Sequence, residues 1–176
     1  KQVFDCPNIE EITLHEPSKE QVESTRILTD VVRLRVTHLR TKDIDFISEL
    51  NNLEELILEY VSGFSDLTPL QKGLDNLRYL HIDGTLDWNQ PIKNFGFLTG
   101  LPNLEVFSLG FITNKSEFPA FLPILKLKKL KKINIIRSSF KTKEYAFLET
   151  ALPKVDGCSW DLCWRNGDSY QFLGKQ

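Results

Sequence analysis

Apolar residues recur along the chain in a short frame, L-x-x-L-x-L, whose last three positions alternate between apolar and polar. This alternation predicts one short β-strand per repeat, with one face in the core and one in water. Successive copies begin 22, 22, 24, 27, 26 and 22 residues apart, which predicts a stacked solenoid of single repeats too small to fold alone. The seven copies are Ile9/Ile12/Leu14, Val31/Leu34/Val36, Leu53/Leu56/Leu58, Leu77/Leu80/Ile82, Leu104/Phe107/Leu109, Leu130/Ile133/Ile135 and the imperfect Leu152/Val155/Gly157.

Between the strands, a second set of apolar residues recurs at every third position and predicts the return half of each repeat. Ile44, Ile47 and Leu50 fall on one side of a short helix or 3₁₀ turn. We expect true helices in the two longest repeats, of 27 and 26 residues, and turns in the shorter ones. The later return segments carry Leu67, Leu70 and Leu74; Ile92, Phe95, Leu98 and Leu101; Phe118, Phe121 and Ile124; and Tyr145, Leu148 and Leu152.

One stretch is specific enough to suggest a family. Phe64-Ser-Asp-Leu-Thr-Pro-Leu70, followed by Leu74-Asp-Asn-Leu77-Arg-Tyr-Leu80-His-Ile82-Asp-Gly-Thr85, resembles the 22-residue repeats of bacterial internalins and of the SDS22-like leucine-rich repeat class. The resemblance covers about residues 9–157. It implies an α/β fold, a right-handed leucine-rich repeat solenoid of about seven rungs, with a parallel concave β-sheet and helical or 3₁₀ segments on the convex side. It also implies bacterial origin and a secreted or envelope-associated protein; without it, the lack of a signal sequence in the chain as given would indicate a cytoplasmic one.

The chain departs from that family at one position of the repeat. Internalin-like repeats usually carry an asparagine three residues after the last strand leucine, where its side chain satisfies backbone groups of the turn. We therefore expect irregular turns along this edge, with hydroxyls of Thr85 and Ser138 as partial substitutes. The residues at this position are Leu39, Val61, Thr85, Ile112 and Ser138.

The pattern predicts a single domain over residues 1–176, with a lead-in over 1–8, repeats over 9–157 and a C-terminal cap over 158–176. The cap is predicted as a β-hairpin, because Trp160 to Trp164 and Ser169 to Leu173 alternate on either side of the turn pair Asn166-Gly167. We expect one face of this hairpin, with Trp160 and Trp164, to cover the last rung; the alternative is that the two tryptophans form a ligand-binding aromatic pair. Cys158 and Cys163 could form a disulfide or pack as small apolar residues, and the sequence leaves both open.

Composition narrows the function. The chain is 41% hydrophobic and 26% charged, and it contains no apolar run long enough for a membrane span. We expect no metal site or cofactor and no enzyme activity, because there is no Cys-x-x-Cys pair, Gly-rich phosphate loop, H-E-x-x-H or G-x-S-x-G motif. His81 and Asp83 lie two residues apart, but this spacing is common and does not define a catalytic set.

The strand residues that point away from the core should form columns across the concave sheet, and they are the candidate binding site. Tyrosine and arginine at the centre of such a surface are typical of protein recognition, so we predict non-catalytic binding of a protein partner by a monomer. The charged members could instead only neutralise one another as a cross-strand ladder. The predicted partner-binding residues are Arg33, Arg35, Glu55, Ile57, Glu59, Tyr79, His81, Asp83 and Val106.

Two other functions remain open because of the charge distribution. Residues 1–30 have a net charge of −4 and residues 121–150 of +6, although the whole chain is only −2. The run Lys126-Leu-Lys-Lys-Leu-Lys-Lys132 could bind nucleic acid or an anionic membrane, although Leu127 and Leu130 are frame positions and the lysines need only be the solvated remainder of a rung. The third possibility is a structural module that assembles with its own copies.

Overall fold

A computed structural model describes residues 4, 6, 8–158, 164–166 and 169–171. Six parallel strands form one sheet in the order β1-β2-β3-β4-β6-β8. Of the described helices, none has the length and apolar character needed to cross a bilayer. The strands of the main sheet are β1 (Glu11–His15), β2 (Arg33–Thr37), β3 (Glu55–Glu59), β4 (Tyr79–Asp83), β6 (Val106–Gly110) and β8 (Lys132–Ile136), and the remaining elements are α1 (Lys19–Ser24), β5 (Gln90–Ile92), β7 (Ile112–Asn114), α2 (Thr142–Ala151), β9 (Trp164–Asn166) and β10 (Ser169–Gln171).

The strands pair in the register that the apolar frame predicts. Leu34 lies opposite Leu56, and Leu56 lies opposite Leu80, so equivalent frame residues stack from rung to rung. All three side chains are at most 1% exposed. A slip by one residue would turn this whole set towards water, so burial of one face fixes the register.

Return segments close the core behind the sheet, as predicted. Ile44, Ile47 and Leu50 are fully buried. In the later repeats the core is aromatic: Phe95 stacks on Phe121 with ring centroids 4.3 Å apart and meets Phe107 edge-on at 6.4 Å. The 3₁₀ turns of these segments are Thr25–Ile27, Asp45–Glu49, Thr68–Gln71, Gly96–Gly100 and Leu122–Lys126.

Phe118 is an exception, and its predicted place in the core is wrong. Its side chain is 44% exposed and meets Phe147 edge-on at the surface, with ring centroids 6.2 Å apart. Phe118 lies before the 3₁₀ turn Leu122–Lys126 and its N-cap residue Phe121, so the three-residue periodicity of the turn does not extend to it.

The predicted placement of the helices is also wrong. The two longest repeats contain 3₁₀ turns, and their additional residues form β5 and β7, which pair in parallel as a second, two-stranded sheet. The α-helices of the described residues, α1 and α2, lie in the first and sixth repeats. The turn Gly96–Gly100 begins and ends with glycine, which disfavours an α-helix, whereas α2 contains neither glycine nor proline. In α1, Ser18 and Gln21 form a capping box that starts the helix.

The seventh frame begins three residues later than the sequence predicts. Val155 N–H donates to Leu152 C=O at 3.1 Å, which is the bond that Leu53 makes to Leu50 at the start of the third frame. Val155 therefore holds the first frame position and Cys158, only 2% exposed, holds the second. The ten-residue helix α2 rises only 1.5 Å per residue, so this return segment needs more residues than a 3₁₀ turn does.

The edge at which the asparagines are missing is more regular than expected. The residue directly after the strand has a positive φ on five rungs, at Glu16, His38, Tyr60, Phe111 and Arg137. The next residue then turns inward: Leu39, Val61 and Ile112 are buried to within 1% of full burial. Ser138 replaces the asparagine as expected, because its Oγ accepts a hydrogen bond from Ile112 N at 3.1 Å.

The strands β9 and β10 pair antiparallel, with Asn166 opposite Ser169. Asn166 thus belongs to a strand and not, as predicted, to the turn, and Gly167 lies outside the described residues. The predicted packing of Trp160 and Trp164 on the last rung and the disulfide question at Cys163 lie outside the described residues and side chains.

The corrected seventh frame predicts that Cys158 is chemically protected. Burial, with smaller contributions from Asp156 and Glu149, raises the pKa of the Cys158 thiol from about 9 to about 12. At pH 8 the reactive thiolate is then about a thousandfold rarer than for an ordinary thiol. We expect iodoacetamide to modify Cys158 at least about 100-fold more slowly in the folded protein than in urea, measured by peptide mass mapping after reduction. Equal rates in the two conditions would contradict its core position.

Candidate functional site

The outward residues of the six strands form the predicted columns. Glu55 lies opposite both Arg33 and Tyr79, and Tyr79 lies opposite Val106. At the C-terminal end, Asp156 forms an isolated parallel bridge with Lys132, the first residue of β8. The first column is Glu11, Arg33, Glu55, Tyr79, Val106 and Lys132; the second is Thr13, Arg35, Ile57, His81, Ser108 and Asn134; the third contains His15, Thr37 and Glu59, and Asp83, Gly110 and Ile136 on the later strands.

Charged residues at the N-terminal end of this face form ion pairs with one another. Arg33 lies between two carboxylates, with Nη1 3.4 Å from Glu11 Oε2 and Nε 4.0 Å from Glu55 Oε2. Arg35 Nη2 lies 2.7 Å from Glu59 Oε2, and this hydrogen bond raises the pKa of the Arg35 guanidinium. In the isolated protein these residues therefore form the mutually neutralising ladder that the sequence left open.

Ile57, Tyr79 and Val106 are half-buried at the centre of the sheet, beside these pairs. Burial raises the pKa of the Tyr79 phenol, and the nearby carboxylates of Glu55, Asp83 and Glu59 raise it further. The phenol is thus neutral at physiological pH and keeps its hydroxyl proton. Within the described part of the chain, that hydroxyl makes no hydrogen bond to protein.

His81 is fixed between two neighbours. Its Nδ1 forms a hydrogen bond with Ser108 Oγ at 2.9 Å, and its Nε2 lies 3.0 Å from Asp83 Oδ2 as an electrostatic contact rather than an aligned hydrogen bond. Ser108 is only 2% exposed, so its hydroxyl is not presented to a substrate. Nothing in the sequence singles out Ser108, because its contact with His81 crosses from one rung to the next. The arrangement orients the imidazole.

Gly110 makes room for this arrangement. A Cβ built on Gly110 would lie 2.1 Å from Asp83 Oδ1, so the carboxylate occupies the space that any other side chain would take. Among the described residues, no group of three His, Cys, Asp or Glu side chains is placed to hold a metal ion.

A cleft of about 840 Å³ lies at the edge where the strands end, next to the third column. We call it the edge cleft. It adjoins the concave face because Tyr60 directly follows Glu59, the last residue of β3. The residues that line it are His38, Arg40, Tyr60, Ser62, Thr85, Leu86, Asp87 and Trp88.

Aromatic and apolar side chains dominate the exposed surface of the edge cleft. His38 and Tyr60 stack with ring centroids 4.8 Å apart, both on residues with positive φ. In the same cleft, Leu86 is 64% and Trp88 57% exposed. The sequence signal for this cleft is that two large apolar residues, Leu86 and Trp88, fall on no frame position of the 27-residue repeat.

Gly84 occupies the column position that His38 and Tyr60 occupy on the earlier rungs. A Cβ at Gly84 would lie 2.4 Å from Phe111 O and 2.9 Å from Gln90 N. The backbones of two neighbouring segments therefore approach each other over this residue, and the edge cleft adjoins that contact through Thr85.

The chain shares its fold with known structures. It is similar to an internalin (inlF) of Listeria monocytogenes, with a TM-score of 0.60 and 21% identity over 80% of this chain and 39% of that one. It is also similar to internalin C2 of Listeria monocytogenes, with a TM-score of 0.47 and 22% identity over 85% of this chain and 65% of that one. A leucine-rich repeat protein of Leptospira interrogans is similar with a TM-score of 0.34 and 15% identity over 77% of this chain and 44% of that one. The chain thus spans less than two thirds of the length of each. No protein-family model and no curated protein matches it.

The first similarity shows the leucine-rich repeat fold of the internalins, as the sequence resemblance predicted. The parallel sheet with 3₁₀ turns behind it agrees with this fold class. The rung count and the cap remain predictions.

Substitution by alanine should destabilise the protein more at Gly84 than at Gly110. We expect Gly84→Ala to lower the free energy of unfolding by about 1–3 kcal/mol, because the new methyl group meets backbone that cannot move away. Gly110→Ala should lower it by less than about 1 kcal/mol, because the Asp83 carboxylate can rotate aside. Urea unfolding curves of the two variants measure the difference, and a larger loss for Gly110→Ala would contradict these close approaches.

Proposed function

We propose that the chain is a non-catalytic module that binds a protein partner on its concave face, centred on Arg35, Ile57, Tyr79 and His81. The observation that supports this most is Tyr79: a half-buried aromatic ring at the centre of the sheet, whose hydroxyl proton has no partner among the described residues. A tyrosine of this kind buries a large area and donates a hydrogen bond when a partner covers it.

The surroundings of Tyr79 suit such a contact. Ile57 and Val106 on the neighbouring strands supply apolar surface. The flanking charges are already paired, as in Arg35 with Glu59, so a partner can cover them without burying an isolated charge. Arg33, Glu55 and Asp83 complete the predicted surface at its polar rim.

Rigidity is the mechanism by which this surface would bind. The sheet holds each side chain at a fixed column position, and Ser108 and Asp83 hold the His81 ring. Side chains that are ordered before association lose less conformational entropy on binding. Six strands about 4.8 Å apart span roughly 24 Å, which suits a standard footprint of about 800 Å².

The edge cleft extends this surface. Trp88 and Leu86 lie close together in the chain and are both more than half exposed. Neighbouring exposed apolar side chains of this kind are typical of an interaction site. A partner that follows the sheet to the ends of the strands would contact both. We therefore assign the edge cleft to the same interface. The bacterial origin of the similar structures makes a bacterial host the first place to search for the partner.

Removing the centre of the concave face should abolish binding. We expect Arg35→Glu/Tyr79→Ala to reduce capture of a partner from the native host at least about 30-fold, since one central hot spot contributes roughly 2 kcal/mol or more. Quantitative mass spectrometry of pull-downs with the wild type and the variant measures this. The matched control is Lys42→Glu/Ile27→Ala, which makes a similar charge and size change at exposed positions off the concave face. If the concave variant recovers every partner as the wild type does, binding does not use this face.

The edge cleft should contribute separately. With a captured partner in hand, we expect Trp88→Ala to weaken Kd about 5- to 30-fold, chiefly through faster dissociation, because it removes one exposed ring from the interface. Surface plasmon resonance measures both rates. Ile27→Ala, which truncates another exposed apolar residue, should leave them unchanged. An unaltered Kd for Trp88→Ala would confine the interface to the strands.

A further inference from the structure

Three large apolar side chains are exposed together on the convex side near the C-terminal end. Phe118, Leu122 and Leu125 are 44%, 53% and 36% exposed. Leu122 and Leu125 lie three residues apart in the 3₁₀ turn Leu122–Lys126 and therefore share a face, since such a turn has about three residues per turn. Phe118 is close in the chain, because Leu122 N–H donates to Pro119 C=O at 3.1 Å.

The structure divides the lysine-rich run into two groups. Lys131 shares the Glu105 carboxylate with Arg78, and Lys132 Nζ lies 3.5 Å from Asp156 Oδ2, so both lysines form ion pairs. Lys126, Lys128 and Lys129 are exposed and form no ion pair with any described residue. The intervening Leu127 and Leu130 are buried, as their frame positions predict.

Two lysines that form no ion pair with a described residue contact the exposed apolar group, and Lys126 and Lys129 lie within two residues of Lys128 in the chain. Lys128 Nζ is 3.4 Å from Leu125 O. Lys143, on α2, places its Nζ 4.4 Å from the centre of the Phe118 ring. We call these residues the convex patch: Phe118, Leu122 and Leu125 with Lys126, Lys128, Lys129 and Lys143.

Few carboxylates oppose this positive charge. Glu144 is buried and accepts a hydrogen bond from Ala120 N at 3.0 Å. Glu117, exposed beside Phe118, is the nearest acidic residue in sequence on the surface. The four lysines therefore leave the convex patch clearly cationic.

We propose that the convex patch binds the surface of an anionic membrane. The apolar side chains enter the region between the lipid headgroups, and the four lysines pair with lipid phosphates around them. This combination of aliphatic side chains with a basic rim is what interfacial membrane binding requires.

Other occupants fit less well. Nucleic acid would pair with the lysines, but a phosphate backbone offers no apolar surface to Leu122 and Leu125. The face of the Phe118 ring is covered by Lys143 and is therefore not free to stack on a base. A second copy of the chain would bring two cationic patches together, and like charges repel. The concave face lies on the other side of the solenoid, so membrane binding leaves it free, and this inference does not depend on the proposed partner site.

Sedimentation with lipid vesicles tests the proposal. The probes are vesicles of phosphatidylcholine alone and of phosphatidylcholine with 30 mol% phosphatidylglycerol. We expect the full chain to bind the anionic vesicles only, and to bind more weakly as salt rises, because ions screen the lysines. Each lysine near such a surface contributes about fivefold in affinity, so Lys128→Glu/Lys129→Glu should weaken binding by at least about 25-fold. Leu122→Ser should weaken it severalfold at low and high salt alike.

Matched controls separate the patch from general charge and hydrophobicity. Lys42→Glu/Lys72→Glu makes the same change in net charge at exposed positions in earlier repeats, and Ile27→Ser removes an apolar residue that is 67% exposed. Both should bind anionic vesicles as the wild type does, as should Arg35→Glu/Tyr79→Ala. Circular dichroism melting curves establish that each variant is folded before it is compared.

Three results would overturn the proposal. The first is no binding of the wild type to the anionic vesicles. The second is an equal loss in the Lys42→Glu/Lys72→Glu control, which would indicate non-specific attraction. The third is binding of a 20-base-pair DNA duplex more tightly than the vesicles, with no effect of Leu122→Ser, which would assign the lysines to nucleic acid.

Discussion

Stacking of equivalent apolar side chains across parallel strands is the interaction on which the rest of this molecule depends. Leu34, Leu56 and Leu80 lie opposite one another, and Phe107 and Ile133 continue the row. No repeat can bury its frame alone, so each rung supplies the cover for the next. The same stacking orders the outward face, because a pleated strand that buries one residue must expose the next. The concave columns are therefore a consequence of the core.

What distinguishes the centre of the concave face is the contrast between paired and unpaired groups. Arg33 and Arg35 already have carboxylate neighbours, and His81 has a contact at each ring nitrogen. The Tyr79 ring is half-buried, and its hydroxyl makes no hydrogen bond to any described residue. The proposed partner site rests on this contrast, since a rigid surface needs little further ordering on binding.

The other two surfaces arise where the chain departs from the regular repeat. The edge cleft is lined by Leu86 and Trp88, which fit no frame position, and by the rings of His38 and Tyr60, two residues with positive φ. The convex patch lies on a return segment whose Phe118, Leu122 and Leu125 point outward while Phe121 and Ile124 point inward. Departures from a repeat are informative because the core does not require them. The convex patch lies behind the sheet, so the proposed membrane contact and the proposed partner contact do not compete for the same surface.

The sequence by itself determined the strands, their register and the membership of the columns, because two-residue alternation and a repeated frame report directly on which side chains are buried. The geometry of the return segments decided the positions of the helices, the start of the seventh frame and the exposure of Phe118. This geometry depends on the number of residues in each turn. Tertiary structure alone decided which lysines form ion pairs, what holds His81, and that an edge cleft exists. Each of these involves contacts between residues on neighbouring rungs, such as His81 and Ser108 or Lys131 and Glu105. A periodic pattern fixes the rung on which a residue lies, but the reach of a side chain to the next rung follows only from the packed fold.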